Sequence, residues 1–109
     1  MRIIIKKSSV KTDEQIVEAV KSGRREGHDQ MVGRYGQQVF AVIVRLVTDT
    51  MDAEELTQDT FLKAFRNIER YDPKRASLPT WLCRIAYRLT LDFLKRSRPL
   101  IVSLEDSEV

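Results

Sequence analysis

From residue 13 to residue 98 the apolar side chains recur at intervals of three and four, the period of a helix face rather than the alternation of a strand. Ile16, Val17 and Val20 make the first stripe; it opens at Thr12 to Gln15, which have the spacing of a capping box, and stops at Gly23. This predicts a helix from about Asp13 to Ser22, then a charged turn over Gly23 to Gly27 with His28 at its end. From Asp29 onward Val32, Tyr35, Val39, Val42, Ile43 and Leu46 predict a second helix, in which burial overrides the low helix propensity of Val42 to Val44. Thr48, Asp49 and Thr50 offer caps for a third, with Asp52 and Glu55 repeating the box spacing and Ala53, Leu56, Thr60, Phe61, Ala64, Phe65 and Ile68 on its core side. Pro73 makes Tyr71 to Ser77 a loop. Ser77 caps a fourth helix that tolerates Pro79 in its first turn, buries Leu78, Trp81, Leu82, Ile85, Leu89 and Phe93, and ends near Arg98 before Pro99. The expected fold class is all-α, a compact bundle of about four helices.

The 109 residues fit one domain, and 42% hydrophobic against 32% charged residues is enough apolar material for a core. The expected organisation is an N-terminal extension over 1–11, a helical domain over 12–99 and a tail over 100–109. Ile3 to Ile5 is the only apolar run near the start, too short for a signal segment or a membrane span. The expectation is a cytoplasmic protein with no membrane partner. One cysteine, Cys83, and one histidine, His28, exclude an intrachain disulfide and leave no metal set. Neither a phosphate-binding loop nor a nucleophile with its base is present at useful spacing, so no enzyme activity, catalytic residue, metal or cofactor is expected.

Charge is distributed in blocks. Residues 51–69 carry 2 basic and 5 acidic residues, and residues 70–99 carry 8 basic and 2 acidic. On the third helix Asp52, Glu55, Asp59, Leu62 and Arg66 share one face. On the fourth, Arg84, Tyr87, Arg88, Leu91 and Lys95 form a cationic face with an aromatic inside it. Solvation and compensation of the helix dipole are the plain alternatives for both.

Three blocks in order, Asp52-Ala-Glu-Glu-Leu-Thr-Gln-Asp-Thr-Phe-Leu-Lys-Ala-Phe65, Tyr71-Asp-Pro-Lys-Arg75 and Trp81-Leu-Cys-Arg-Ile-Ala86 with Leu91-Asp-Phe-Leu-Lys-Arg96, resemble region 2 of bacterial extracytoplasmic-function sigma factors of the sigma-70 family. The resemblance implies a transcription-initiation domain that binds core RNA polymerase and recognises and melts the promoter −10 element. It places Asp52, Glu55, Gln58, Asp59 and Leu62 on the coiled coil of the polymerase beta-prime subunit. It makes Tyr71 to Ser77, with Lys74 and Arg75, the loop that receives a flipped base of the non-template strand, and Arg84, Tyr87, Arg88 and Lys95 the face that holds that strand. Carboxylates around a central Leu suit a basic partner helix, and cations around an aromatic suit an unpaired strand.

Trp81 reads as core, with base contact as its alternative. The chain departs from the family pattern at Leu78, where an aromatic often precedes the tryptophan, and at Tyr87-Arg88, where the family often has Arg-Asn. Base preference is therefore not carried over. The family's second domain, a helix-turn-helix reading the −35 element, has no counterpart within these residues. The alternative function is a degenerate sigma-like module that binds polymerase or an anti-sigma factor without reading the promoter; the cations from Arg70 to Arg98 weigh against it.

Overall fold

Thr12 caps the first helix as its spacing predicts: its hydroxyl accepts from the Gln15 amide at 3.1 Å while the Gln15 side chain accepts from the Thr12 amide at 3.0 Å. The computed structural model describes residues 12–97. The N-terminal extension, the expected helix end near Arg98 and Pro99, and the tail from Leu100 lie outside the described residues. Helix α1 spans Asp13–Lys21, α2 Arg25–Val44, α3 Thr50–Arg66 and α4 Leu78–Ser97, with a 3-10 turn at Ile68–Arg70. No strand occurs among the described residues. Helix α1 packs on α2, and α2, α3 and α4 pack on one another.

The turn after α1 is shorter than the sequence predicts. Gly23 takes a positive φ of 74°, a conformation that favours glycine, and α2 begins two residues later. Gly27 is thus a helical residue, and its lack of a side chain serves packing: a Cβ there would lie 2.7 Å from Ala19 Cβ and from the Val20 amide nitrogen. His28 is also helical rather than in a turn, with its ring edge-on to Phe65 at 4.0 Å between centroids.

The buried stripe of α2 also differs. Met31, Val39 and Ile43 are fully buried and Val47 nearly so, whereas Val32 and Leu46 are exposed. Gly27, Met31, half-buried Tyr35, Val39, Ile43 and Val47 follow steps of four, and each such step winds about 40° around a helix of 3.6 residues per turn. The stripe therefore turns from one neighbour to the next, as a central helix packed on three others requires. Helix α4 follows the same rule with Leu78, Leu82, Ala86 and Thr90, so Trp81, Ile85, Leu89 and Phe93 flank the core half-buried instead of filling it.

Thr60 and Thr90 are the two buried polar side chains among the described residues, and both are satisfied along their own helices. The Thr60 hydroxyl donates to the Leu56 carbonyl at 2.8 Å and that of Thr90 to the Ala86 carbonyl at 2.7 Å. On α3 the expected core side holds: Ala53, Leu56, Thr60, Phe61 and Ala64 are buried and Phe65 half-buried, with Ile68 buried in the following 3-10 turn.

Candidate nucleic-acid interface

Helix α3 starts on a carboxylate cap. Asp49 accepts from the amides of Met51 at 2.8 Å and Asp52 at 3.1 Å, so the cap is Asp49 rather than any of its threonine neighbours. That start sets the helix register. Glu55, Gln58 and Asp59 stand exposed, with Leu62 at 51% exposure beyond them. Asp52, Glu55 and Gln58 line one shallow depression with Asp49, Met51 and Glu54. Asp52 is half-buried and also borders the C-terminal end of α4, beside Leu94 and Ser97, so it is the least free of the acidic set. Sequence reading passed over Met51, which is 77% exposed. It stands four residues before Glu55, a helical neighbour that the periodicity alone marks.

Between α2 and α4 lies a groove of about 590 Å³, lined by Gln38 and Val42 on one side and by Thr80, Cys83, Arg84, Tyr87, Arg88 and Leu91 on the other. A second hollow of about 200 Å³, formed by Lys63, Trp81 and Ile85, shares Arg84 and Arg88 with it. The two arginines thus form a ridge between two depressions, with Tyr87 half-exposed beside them. The ion pairs Arg24–Glu26 and Arg34–Asp13 lie elsewhere. Neither Arg84 nor Arg88 belongs to either pair, and both stand exposed. Lys95 is exposed outside the lining of this groove. Gln38, Val42 and Lys63 were not assigned to this surface from the sequence, because they belong to other helices and only packing brings them here; Trp81, read as core with base contact as its alternative, lines the smaller hollow.

The loop is built by its own hydrogen bonds. The Tyr71 hydroxyl donates to the Ala76 carbonyl at 3.0 Å, closing the segment end to end. Asp72 accepts from the Lys74 amide at 2.9 Å, and its carbonyl accepts from the Arg75 amide at 3.0 Å. The Ser77 hydroxyl accepts from the Thr80 amide at 3.3 Å and donates to the Thr80 hydroxyl at 2.9 Å, so it caps α4. Tyr71 is half-buried with its ring 5.2 Å from that of Trp81. Burial, with the charges of Asp13 and Asp72, pushes its phenol above the ordinary range. Of the loop residues singled out from the sequence, Tyr71 and Ser77 are engaged in shaping the loop, and Lys74 and Arg75 are the exposed cations. Cys83 is half-buried, and burial pushes its thiol up, away from the thiolate a nucleophile needs. Among the described residues no three His, Cys, Asp or Glu side chains gather as metal ligands.

The family model for sigma-70 region 2 matches residues 31–99. The chain belongs to the sigma-70 region 2 family. Two relatives are the ECF RNA polymerase sigma factor SigW of Bacillus subtilis, 30% identical over 76% of this chain and 44% of its own, and the RNA polymerase sigma-H factor of Pseudomonas aeruginosa, 33% identical over 88% of this chain and 51% of its own. The chain spans about half the length of the curated relatives it matches. The solved structure of an engineered region 2 of sigmaE in complex with GTAAAA is similar with a TM-score of 0.72 and 32% identity, over 85% of this chain and 97% of that one. The sigma region 2 domain described here is accordingly of the ECF type. No helix among the described residues is long and apolar enough to cross a membrane.

Proposed function

We propose that this sigma region 2 domain docks on core RNA polymerase through the exposed face of α3 and holds the non-template strand of the promoter −10 element with the loop 71–77 and the groove of α4. The observation that carries the reading is the ridge of Arg84 and Arg88 beside exposed Tyr87, in a domain whose 32% identical structural neighbour was solved with GTAAAA. Cations spaced one turn apart follow a phosphate backbone, and an exposed phenol offers a face to an unstacked base. On α3, Glu55, Gln58 and Asp59 would meet basic side chains, with Leu62 supplying the desolvated contact. Lys74 and Arg75 would meet the strand at the loop, with Tyr71 and Ser77 holding the loop's shape. Lys95 would extend the cationic path, and Asp52 would contribute at the margin of the polymerase contact.

The test is anisotropy of labelled GTAAAA, its scrambled counterpart and the duplex form, titrated with the protein alone and with core polymerase at several salt concentrations. The expected result is preference for the ordered single strand, with a log–log salt slope of about 0.7 for each phosphate contact. Equal affinity for ordered and scrambled strands in both settings would leave only electrostatic attraction. Polymerase binding without any strand preference would favour the degenerate interaction module instead.

A further inference from the structure

Helix α1 is joined to α2 by a polar clasp that the strand-binding face does not contain. The Tyr35 hydroxyl lies 2.6 Å from each carboxylate oxygen of Asp13, and Arg34 donates to the same carboxylate at 3.3 Å. The clasp is strong in kind, a phenol donating to an ionised acceptor with a guanidinium behind it. Burial and the Asp13 bond push the Tyr35 phenol up to about 12, which keeps it a donor at every physiological pH. Asp13 also borders the loop. It lines a depression of about 300 Å³ together with Tyr71 and Pro73, and α1 packs on the 3-10 turn Ile68–Arg70 that leads into Tyr71. Tyr71 in turn closes the loop on Ala76 and rests on Trp81.

We propose that Tyr35 and Asp13 are positioning residues for the loop 71–77: by clamping the start of α1 against α2 they give Tyr71 and Pro73 a fixed wall, and so set where the loop presents itself to the strand. The proposal rests on the strand-binding reading above. A loop held only by its internal bonds keeps its shape but not its placement, and hydrogen bonds that read a base hold only within a narrow range of distance and angle. The clasp also pairs a carboxylate that would otherwise stand free beside a phosphate-binding segment.

The experiment compares the full chain with Tyr35→Phe, which keeps the ring and removes the donor, with Asp13→Ala, and with Asp13→Asn, which retains an acceptor for the Tyr35 hydroxyl. Two readouts are taken: the amide NMR signals of residues 71–77 without DNA, and the affinity ratio of GTAAAA to its single-base variants. Expected are shifted loop signals and a ratio reduced about three- to tenfold in Tyr35→Phe and Asp13→Ala, near-parental values in Asp13→Asn, and unchanged polymerase affinity in all three. Folded Tyr35→Phe protein with parental loop signals overturns the clasp, whatever the parent does with DNA. Shifted loop signals with an unchanged ratio overturn its role in recognition. A parent without base preference overturns the strand-binding reading, a result distinguishable because the loop signals are read without DNA. A Tyr35→Phe variant that loses polymerase and strand binding in equal proportion shows a merely structural role and also overturns the proposal.

Discussion

The exposed face of α3 and the grooved face of α4 both combine charge with an exposed apolar or aromatic residue, yet they are made in different ways. The α3 face is the property of one helix. Its residues are spaced by the helical repeat, and its register is set by the Asp49 cap. The α4 surface is a composite: Gln38 and Val42 come from α2, Lys63 from the end of α3, and Trp81 joins the loop to the core through Tyr71. A face carried by one helix survives small changes in packing, whereas a groove between helices depends on them. Damage to the core should therefore cost strand binding before it costs polymerase binding.

Trp81→Ala is the strongest way to break this contrast. The side chain is half-buried, so its loss should destabilise the domain by about 2–4 kcal/mol, below or within the lower part of the range for fully buried aromatics. Strand binding should fall even where calorimetry shows the variant folded, while polymerase affinity stays near parental. Equal loss of both would show that the two regions do not differ as described.

Reversing charge at Asp52, Glu55 and Asp59 tests the other side. Exposed ion pairs contribute about 0.5 kcal/mol each, so the triple variant should lose about tenfold in polymerase affinity, with circular dichroism and strand binding unchanged. Asp52 should account for the smallest share, because it is half-buried and borders the end of α4. Arg84→Ala with Arg88→Ala should lower the log–log salt slope for single strands by about 1.4 and leave the base preference in place. A slope that does not move would remove the arginine ridge from the phosphate path.

The smallest effect concerns pH. The Tyr35 phenol is neutral below its pKa, and its value rises from 10.0 to about 12 on folding. The stability this contributes is whole below pH 10 and is lost as pH climbs from 10 toward 12. Thermal unfolding at pH 9 and pH 11 should show the parent losing more stability than Tyr35→Phe, which has no phenol to ionise. Identical losses would mean that the Asp13 clasp does not hold in solution.

The caps, the period and the breakers were legible along the chain. Thr12 with Gln15, the stop at Gly23, the loop after Pro73 and the start of α4 at Ser77 are local matters of hydrogen bonding and backbone freedom, settled within a few residues. The α3 face was legible for the same reason, since helical spacing alone puts Glu55, Asp59 and Leu62 together. The centres of the α2 and α4 stripes were not. Whether Leu46 or Val47, or Leu89 or Thr90, meets the core depends on which neighbour the helix faces at that turn, and apolarity misleads where Thr90 satisfies its hydroxyl on its own helix.

Gly27 and His28 read as turn residues because glycine and charge cluster there. Only the close approach of α1, with Ala19 and Val20 against Gly27, shows why a glycine sits inside a helix. The sequence by itself determined the elements and the single-helix surface, because those follow from contacts a few residues apart. The tertiary structure alone decided the groove beside the two arginines and the Tyr35–Asp13 clasp, whose partners come together across 21 or more residues only when the helices pack.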